Sequence, residues 1–308
     1  MGWRSIIVSQ PAKLSLHNRQ LRLEQDGGLE VEVPLEDISI VVLETPQALI
    51  TTALLAALAE HAIAVLTCDA THHPNGVLLP YLPHSRQTRV LHKQIMLTEP
   101  QKKRAWQRIV AQKLTNQAQV LAENQAEGVQ LLRRLASKVR SGDPDNLEGQ
   151  GARCYFANLF GQGFTRTRAS EDWINSAMNY GYAIARAALA RSLVSHGLLP
   201  SLGLFHHSEL NAFNLAADLI EPFRAQVDRW VLKISRNEIA TACSHDLVAA
   251  RLLPAHKAAL VNLLYEDMAM PTGYMNTLTA IEQCAQSMGQ MVEVGDYNQL
   301  ALPALIPA

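Results

Sequence analysis

The chain has 308 residues, of which 48% are hydrophobic and 18% charged, and its formal net charge is −1. This composition is typical of a folded globular protein with about two domains, and it excludes a disordered chain. No apolar run reaches the roughly 18 residues of a membrane span, because Glu60 and His61 interrupt the most apolar stretch. Isolated cysteines and an N-terminus without a secretory apolar core predict a cytoplasmic protein without a disulfide framework.

The first part of the chain has the alternation of apolar and polar residues that is typical of β-strands. Alternate apolar residues run through 29–33 and 38–42. The sequence DGG at 26–28 predicts a hairpin turn, since glycine accepts positive φ at little cost. One helix is predicted near 49–61, followed by a buried strand at 63–69.

After Pro83 the apolar period changes to the 3.6 residues of a helix, and two long amphipathic helices are predicted over 86–140. Further helices are predicted at about 147–160, 171–196, 209–235, 244–250, 254–268 and 274–291. The tail LALPALIPA has no periodicity, so we expect it to be flexible. The prediction is an α+β multidomain protein, with a small β-rich N-terminal domain (1–83) and a larger all-α C-terminal domain (84–308).

Charge is distributed unevenly along the chain. Nine acidic residues and no Lys or Arg lie between Glu24 and Ser85, whereas twelve Lys or Arg lie between Arg86 and Arg140. The second segment predicts a basic surface that binds phosphate groups, and an ordinary solvated helical face is an equal alternative.

Three polar clusters in the helical part carry residues that are suited to chemistry. In NLEGQGARCYF (146–156), Glu148 stands at a predicted helix start, where a carboxylate is favourable with or without a functional role. In GLFHH (203–207), two histidines follow each other at a helix exit, on a connection rather than inside a core.

The third cluster, DLIEPFR (218–224), places two carboxylates beside a proline. Asp218 and Glu221 share a helix face, and Pro222 predicts a kink or a new helix start. Glu221 is then well placed to reach a metal, with an ion pair to Arg224 as the alternative. Imidazole and carboxylate ligands without cysteine suit Mg²⁺ or Mn²⁺ rather than structural zinc, and with the basic helices they indicate phosphodiester chemistry.

At these residues the chain resembles the Cas1 family, the CRISPR-associated endonucleases and integrases of spacer acquisition, and in particular its type II branch. The resemblance rests on PNGVLLPYLPHSRQ (74–87), NLEGQGARCYF, SEDWINSAMNYGYAIAR (170–186) and GLLPSLGLFHHSELNAFNLAADLIEPFR (197–224). These motifs occur in the family's order and spacing, and the similarity extends from about residue 5 to 290. The family's β-domain followed by an α-domain agrees with the organisation predicted above.

The resemblance implies a catalytic metal site formed by Glu148, His206 and Glu221, with Mg²⁺ or Mn²⁺ as the ion. His207 is an alternative ligand, and His207 and Asp218 are candidates for supporting positions around the site. The implied reaction inserts short foreign DNA fragments into the CRISPR repeat array, through attack of a fragment's 3′-hydroxyl on a phosphodiester. The side chains predicted to hold DNA phosphates are Arg86, Lys102, Arg104, Arg108, Arg133 and Lys138.

The implied partners are double-stranded DNA, a second copy of the chain bound through the domain over 1–83, and a smaller CRISPR-associated adaptation subunit that completes a heterohexamer. The type II effector nuclease is a further candidate partner, and no membrane is involved. Two alternative functions are a structure-selective nuclease acting on branched DNA in repair and a non-enzymatic DNA-binding scaffold.

Overall fold

The computed structural model describes residues 4–69, 74–81, 84–167, 172–241 and 252–307. Its first part is rich in strands and contains two four-stranded sheets and one helix. The elements are Arg4–Val8 (β1), Ala12–His17 (β2), Gln20–Glu24 (β3), Glu30–Pro34 (β4), Ile38–Leu43 (β5), Ala48–Ile50 (β6), Thr52–Glu60 (α1), Ala64–Cys68 (β7) and Pro74–Leu78 (β8). One sheet has the order β1-β5-β7-β8 and the other β4-β3-β2-β6. The predicted hairpin is confirmed, because β3 and β4 pair antiparallel around Gly27 and Gly28, which both have positive φ.

The central strands β5 and β7 of the sheet β1-β5-β7-β8 are buried on both faces. Ile40 and Val42 of β5 contribute to the large core of the helical part, whereas Val41, between them, packs into a separate core with the second sheet and α1. Ala64 and Leu66 of β7 follow the same alternation as Ile40 and Val42. Since successive side chains of a strand point to opposite faces, this one sheet joins the two cores.

The second part of the chain is mostly helical. Its helices are Gln87–Ile95 (α2), Glu99–Glu123 (α3), Val129–Lys138 (α4), Leu147–Phe160 (α5), Trp173–Ser195 (α6), Asn214–Leu219 (α7), Glu221–Thr241 (α8), Pro254–Val261 (α9) and Thr277–Val294 (α10). Helix α3 packs against α4, α5 and α8, and it therefore lies at the centre of this part. None of the helices in the described residues is both long and apolar enough to cross a membrane.

The prediction that the C-terminal domain is all-α is wrong in one region. Asp267–Met270 (β9), Gly273–Asn276 (β10) and Ala304–Leu305 (β11) form a small sheet in the order β10-β9-β11. The helix predicted over 254–268 ends at Val261, and α10 begins only at Thr277. The two residues between β9 and β10 are Pro271 and Thr272, and a proline there favours a turn over a continued helix.

Two other predicted boundaries differ from the structure. The segment 86–140 forms three helices rather than two, because Gly128 adopts a left-handed φ of 91° before α4. The helix predicted over 209–235 begins later and is divided into α7 and α8 next to Pro222. The helix predicted at 244–250 lies outside the described residues.

The C-terminal tail is held in place, so the prediction of a flexible tail is wrong. Leu300 and Leu305 are buried, and β11 pairs with β9. The side chain of Asn116 on α3 donates to the carbonyl of Pro303 and accepts from the backbone N–H of Leu305. The tail has no internal pattern because its order comes from these tertiary contacts with α3 and β9.

Candidate metal centre

Glu148 lies in the first turn of α5, and the preceding loop is built to begin a helix there. Asp143 accepts hydrogen bonds from the backbone N–H groups of Leu147 and Glu148, each at 2.9 Å, and Asn146 caps Gly149 at 3.1 Å. These side chains satisfy N–H groups that have no partner within the helix. The start of α5, and with it the position of Glu148, is therefore fixed.

Close packing of α5 on α3 brings Glu148 to a lysine. A Cβ atom on Gly151 would lie 2.1 Å from a methyl group of Leu114, so any larger residue here would require the Leu114 side chain to shift. Glu148 is three residues before Gly151, on the same helix face, and Lys113 precedes Leu114. The Lys113 ammonium donates to Glu148 Oε1.

Glu221 begins α8, at the helix restart that Pro222 predicts. Its Oε2 accepts from Lys113 Nζ at 2.5 Å, and its Oε1 accepts from Arg224 Nε at 2.9 Å. Burial raises the pKa of a carboxyl group, but the positive charges of Arg224 and Lys113 outweigh burial and lower the pKa of Glu221 to about 2. Glu221 is therefore a carboxylate at neutral pH, although its side chain is only 7% exposed.

Asp218 holds the loop that carries His206. It is completely buried on α7 and accepts hydrogen bonds from the backbone N–H groups of Leu204, Phe205 and His206, at 2.6, 3.0 and 3.1 Å. The same carboxylate contacts His206 Nδ1 at 2.6 Å. A Cβ atom on Gly203 would lie 2.1 Å from the carbonyl oxygen of His206, so the compact loop requires glycine at this position.

The imidazole of His206 is oriented by aromatic rings as well as by Asp218. It meets the ring of Trp106 edge-on, with centroids 5.7 Å apart, and Trp106 stacks on Phe205. The hydrogen bond to Asp218 raises the pKa of His206, against the lowering effect of burial, and the charge of Glu221 adds to the increase. His206 therefore lies within electrostatic range of Glu221. The neighbouring His207 is exposed, and its Nδ1 contacts the carbonyl oxygen of Phe205 at 2.7 Å.

The structure thus brings Glu148 and Glu221 to the ammonium of Lys113. Trp106, which contacts His206, lies seven residues before Lys113 and so on the same face of α3. His206 is therefore on the same side of α3 as the two glutamates. Within the described residues, no three His, Cys, Asp or Glu side chains converge as closely as a metal site requires. The donor set nevertheless fits a divalent ion, because two carboxylates already surround one cation. His206 also has the carboxylate partner on its second nitrogen that ligating histidines usually have.

Four of the six candidate DNA-binding side chains are exposed, namely Arg86, Arg104, Arg133 and Lys138. Arg104, Lys102 and Arg108 contact other side chains or the backbone: Lys102 contacts Glu99, and the two arginines bind the C-terminal tail. Arg104 contacts the hydroxyl of Tyr297, and Arg108 contacts Asn298 and the carbonyl of Leu300. These two arginines therefore hold the tail on α3.

Sequence reasoning missed Lys113 as part of the site and counted it only as one of many basic residues. A signal was present, because Lys113 lies on the apolar face of α3 at helical spacing from Ile109, Val110 and Val120. A lysine at such a position must find an anionic partner when it is buried. The role of Asn116, which connects α3 to the carbonyl of Pro222 next to Glu221, had no comparable sequence signal.

Comparison with known proteins decides the family. Residues 6–263 match the family model described as CRISPR associated protein Cas1. The chain is 43% identical, over all of its length and 98% of the relative's, to the CRISPR-associated endonuclease Cas1 of Neisseria meningitidis. The chain belongs to the Cas1 family. The predicted resemblance to the Cas1 family is confirmed, and the chain is a CRISPR-associated endonuclease.

Solved structures agree with this fold. A casposase bound to integration product superposes with a TM-score of 0.79 at 17% identity, covering 96% of this chain and 93% of the other. A Cas1 protein from Thermotoga maritima gives 0.76 at 18% identity, covering 95% and 98%. Both likenesses confirm the α+β architecture, a strand-rich first part followed by a mostly helical second part. Membership of this nuclease family indicates a divalent metal cation.

Proposed function

We propose that this chain is the integrase of CRISPR spacer acquisition, in a system of type II. In this function it joins the 3′-hydroxyl ends of short DNA fragments to the CRISPR repeat and also cleaves DNA. The observation that carries the proposal is the pairing of Glu148 and Glu221 around one cation, beside a histidine held by Asp218. Such a cluster is suited to bind Mg²⁺ or Mn²⁺, with Glu148, His206 and Glu221 as ligands.

The chemistry follows from the family and from these side chains. A bound divalent ion would stabilise negative charge on the phosphate that is attacked. The 3′-hydroxyl oxygen of the fragment forms a bond to phosphorus, and the bond from phosphorus to the leaving 3′-oxygen of the repeat strand breaks. Water in place of the 3′-hydroxyl gives DNA cleavage instead.

Each supporting residue prepares one part of this site. Asp218 accepts the proton of His206 Nδ1 in a hydrogen bond, which leaves Nε2 with its lone pair available as a ligand. Arg224 orients one oxygen of Glu221 and keeps the carboxyl group ionised. Trp106 and Phe205 form an aromatic wall against the imidazole and limit its rotation.

The same proposal assigns roles to the remaining parts of the chain. The region over 1–83 would bind a second copy of the chain, since it holds the acidic, Lys- and Arg-free segment and is poorly suited to DNA. The helical region over 84–308 would bind double-stranded DNA, with the exposed Arg86, Arg133 and Lys138 as contacts. Structures titled Cas6-RT-Cas1–Cas2 complex share the fold and support a Cas2 subunit as partner of this chain.

A strand-joining assay tests the proposal. The protein, its Cas2 partner, a fragment with 3′-hydroxyl ends and a plasmid that carries the repeat are incubated with Mg²⁺ or Mn²⁺. We expect Glu148→Ala, Glu221→Ala and His206→Ala each to reduce joining by more than about 100-fold, the upper range for residues that merely support a metal ligand. The matched control is His207→Ala, which should retain joining because His207 is exposed.

The outcomes separate the alternatives. Normal joining by Glu148→Ala in Mn²⁺ would show that Glu148 is not a metal ligand. A larger loss of joining in His207→Ala than in His206→Ala would show that His207 is the ligand instead of His206. Cleavage of branched DNA without any joining would indicate the repair nuclease. A wild-type protein whose stability does not increase with Mn²⁺ would indicate a scaffold.

A further inference from the structure

Lys113 occupies the point at which the two carboxylates of the proposed metal site meet. Its side chain is 7% exposed, and its Nζ donates both to Glu148 and to Glu221. An amine held between two carboxylates in this way is an ammonium group. A positive charge is therefore already present where a divalent ion would bind.

The charges of this cluster balance without any metal. Glu148 and Glu221 contribute two negative charges, and Lys113 and Arg224 contribute two positive charges. A divalent ion bound to both carboxylates would take the position of the Lys113 ammonium and lie next to its positive charge, which is costly away from water. A resident cation must therefore move when a metal binds.

Lys113 is the cation that can move. Arg224 is held twice, by Glu221 and by the ring of Tyr182, whose centroid lies 4.5 Å from the guanidinium carbon. Within the described residues the ammonium of Lys113 contacts only the two carboxylates, and four flexible carbon atoms connect it to α3. A small rotation in that stem withdraws Nζ without disturbing the helix.

We propose that Lys113 is an internal cation that holds Glu148 and Glu221 in position until a divalent ion displaces it, and that it thereby sets the affinity for metal. This inference rests on the proposed function, because it takes the two glutamates as metal ligands. Lys113 acts as a positioning residue: it keeps the carboxylates together in the metal-free protein, and every binding event must break its two contacts.

The test is a titration of metal-free protein with Mn²⁺, in which electron paramagnetic resonance measures the free ion. Lys113→Met removes the charge and keeps the length of the side chain, so we expect it to bind Mn²⁺ at least about tenfold more tightly than the wild type. Lys113→Arg keeps the charge and should not bind more tightly. A loss of merely structural contacts would weaken metal binding rather than strengthen it.

Lys257→Met is the matched control. Lys257 is another buried lysine, 4% exposed, and its Nζ contacts Glu44 at 2.5 Å. Its replacement should destabilise the protein in a similar way without tightening Mn²⁺ binding. Where Lys113→Met does not fold, Lys113→Gln replaces it under the same criterion.

Two negative results are distinguishable. Equal or weaker Mn²⁺ binding by a folded, neutral Lys113 variant overturns the role of Lys113 and leaves the proposed function in place. Absence of saturable Mn²⁺ binding in both the wild type and that variant overturns the metal site of the proposed function, and this inference with it.

Discussion

Replacement of Asp218 by asparagine should change the protonation of His206 as well as the stability of the protein. The carboxylate accepts four hydrogen bonds, and an amide offers only one oxygen to the same donors. If the amide oxygen accepts from the backbone N–H groups of Leu204 and Phe205, the amide nitrogen lies against the backbone N–H and the Nδ1 of His206. The imidazole can respond by moving its proton to Nε2, whereas the backbone N–H cannot change.

The magnitude follows from these contacts. A buried N–H left without an acceptor costs about 1–3 kcal/mol, and exchanging a charged acceptor of Nδ1 for a neutral amide costs about 1 kcal/mol more. We therefore expect Asp218→Asn to lower the free energy of unfolding by about 2–4 kcal/mol. The proton on Nε2 should also block that nitrogen as a ligand, so strand joining should fall much further than the loss of folded protein explains.

Urea unfolding measures the first effect, and ¹⁵N NMR of the imidazole at a pH above the raised pKa of His206 measures the second. Nδ1 should carry the proton in the wild type and Nε2 in the variant. The matched control is Asp228→Asn, which alters another completely buried aspartate without touching this loop. An Asp218→Asn protein with the wild-type tautomer and unchanged stability would refute the reasoning.

Three further predictions concern the surroundings of the site. Burial raises the pKa of Asp228 from 3.8 to about 6. Between these pH values the folded protein keeps a proton that the unfolded chain loses, so the free energy of unfolding falls as pH rises. Asp228→Asn should therefore stabilise the protein above pH 6, by as much as about 3 kcal/mol, and urea unfolding should show a stability that depends less on pH. A variant less stable than the wild type at pH 8 would contradict this. Gly203→Ala should cost about 1–3 kcal/mol in the same assay because its Cβ meets the backbone of the loop, whereas Gly163→Ala, with nothing within 4 Å, should be nearly neutral; equal costs would argue against the packing reason. Asn116→Ala removes the partner of three buried backbone groups: the carbonyls of Pro222 and Pro303 and the N–H of Leu305. It should lower the free energy of unfolding by about 3 kcal/mol and increase proteolysis at the C-terminus. Unchanged proteolysis would show that other contacts hold the tail.

The sequence predicted those elements whose pattern is local. Helices α5 and α6 follow from strong start signals and regular apolar spacing, and the division at Pro222 follows from the chemistry of proline. Glu221 stands out because it lies at a proline kink beside apolar positions. Glu148 is ordinary for a helix start, and only the resemblance to the Cas1 family indicates that it is a ligand. The residues themselves do not distinguish the two adjacent histidines, because their surroundings differ only in the folded protein: His206 contacts Asp218 and Trp106, whereas His207 is exposed.

Other features depend on contacts between distant segments and had no local pattern. The tail lacks periodicity, and its position comes from α3 and β9. Strands β9 and β10 are short and apolar next to helices, so composition alone favoured a continued helix. The partner of Lys113 could be inferred as an anion from the apolar face on which it lies, but not identified as two glutamates 35 and 108 residues further along the chain.

The sheet β1-β5-β7-β8 has a consequence for engineered hybrids of this family. Ile40, Val42, Ala64 and Leu66 fill one side of the core that the helices complete, so the two halves of the chain fit each other through specific side-chain volumes. A hybrid that joins this strand-rich half to the helical half of a distant relative would place mismatched surfaces against each other. Successful exchanges should therefore transfer these four positions together with the helices that cover them, rather than divide the chain between the halves.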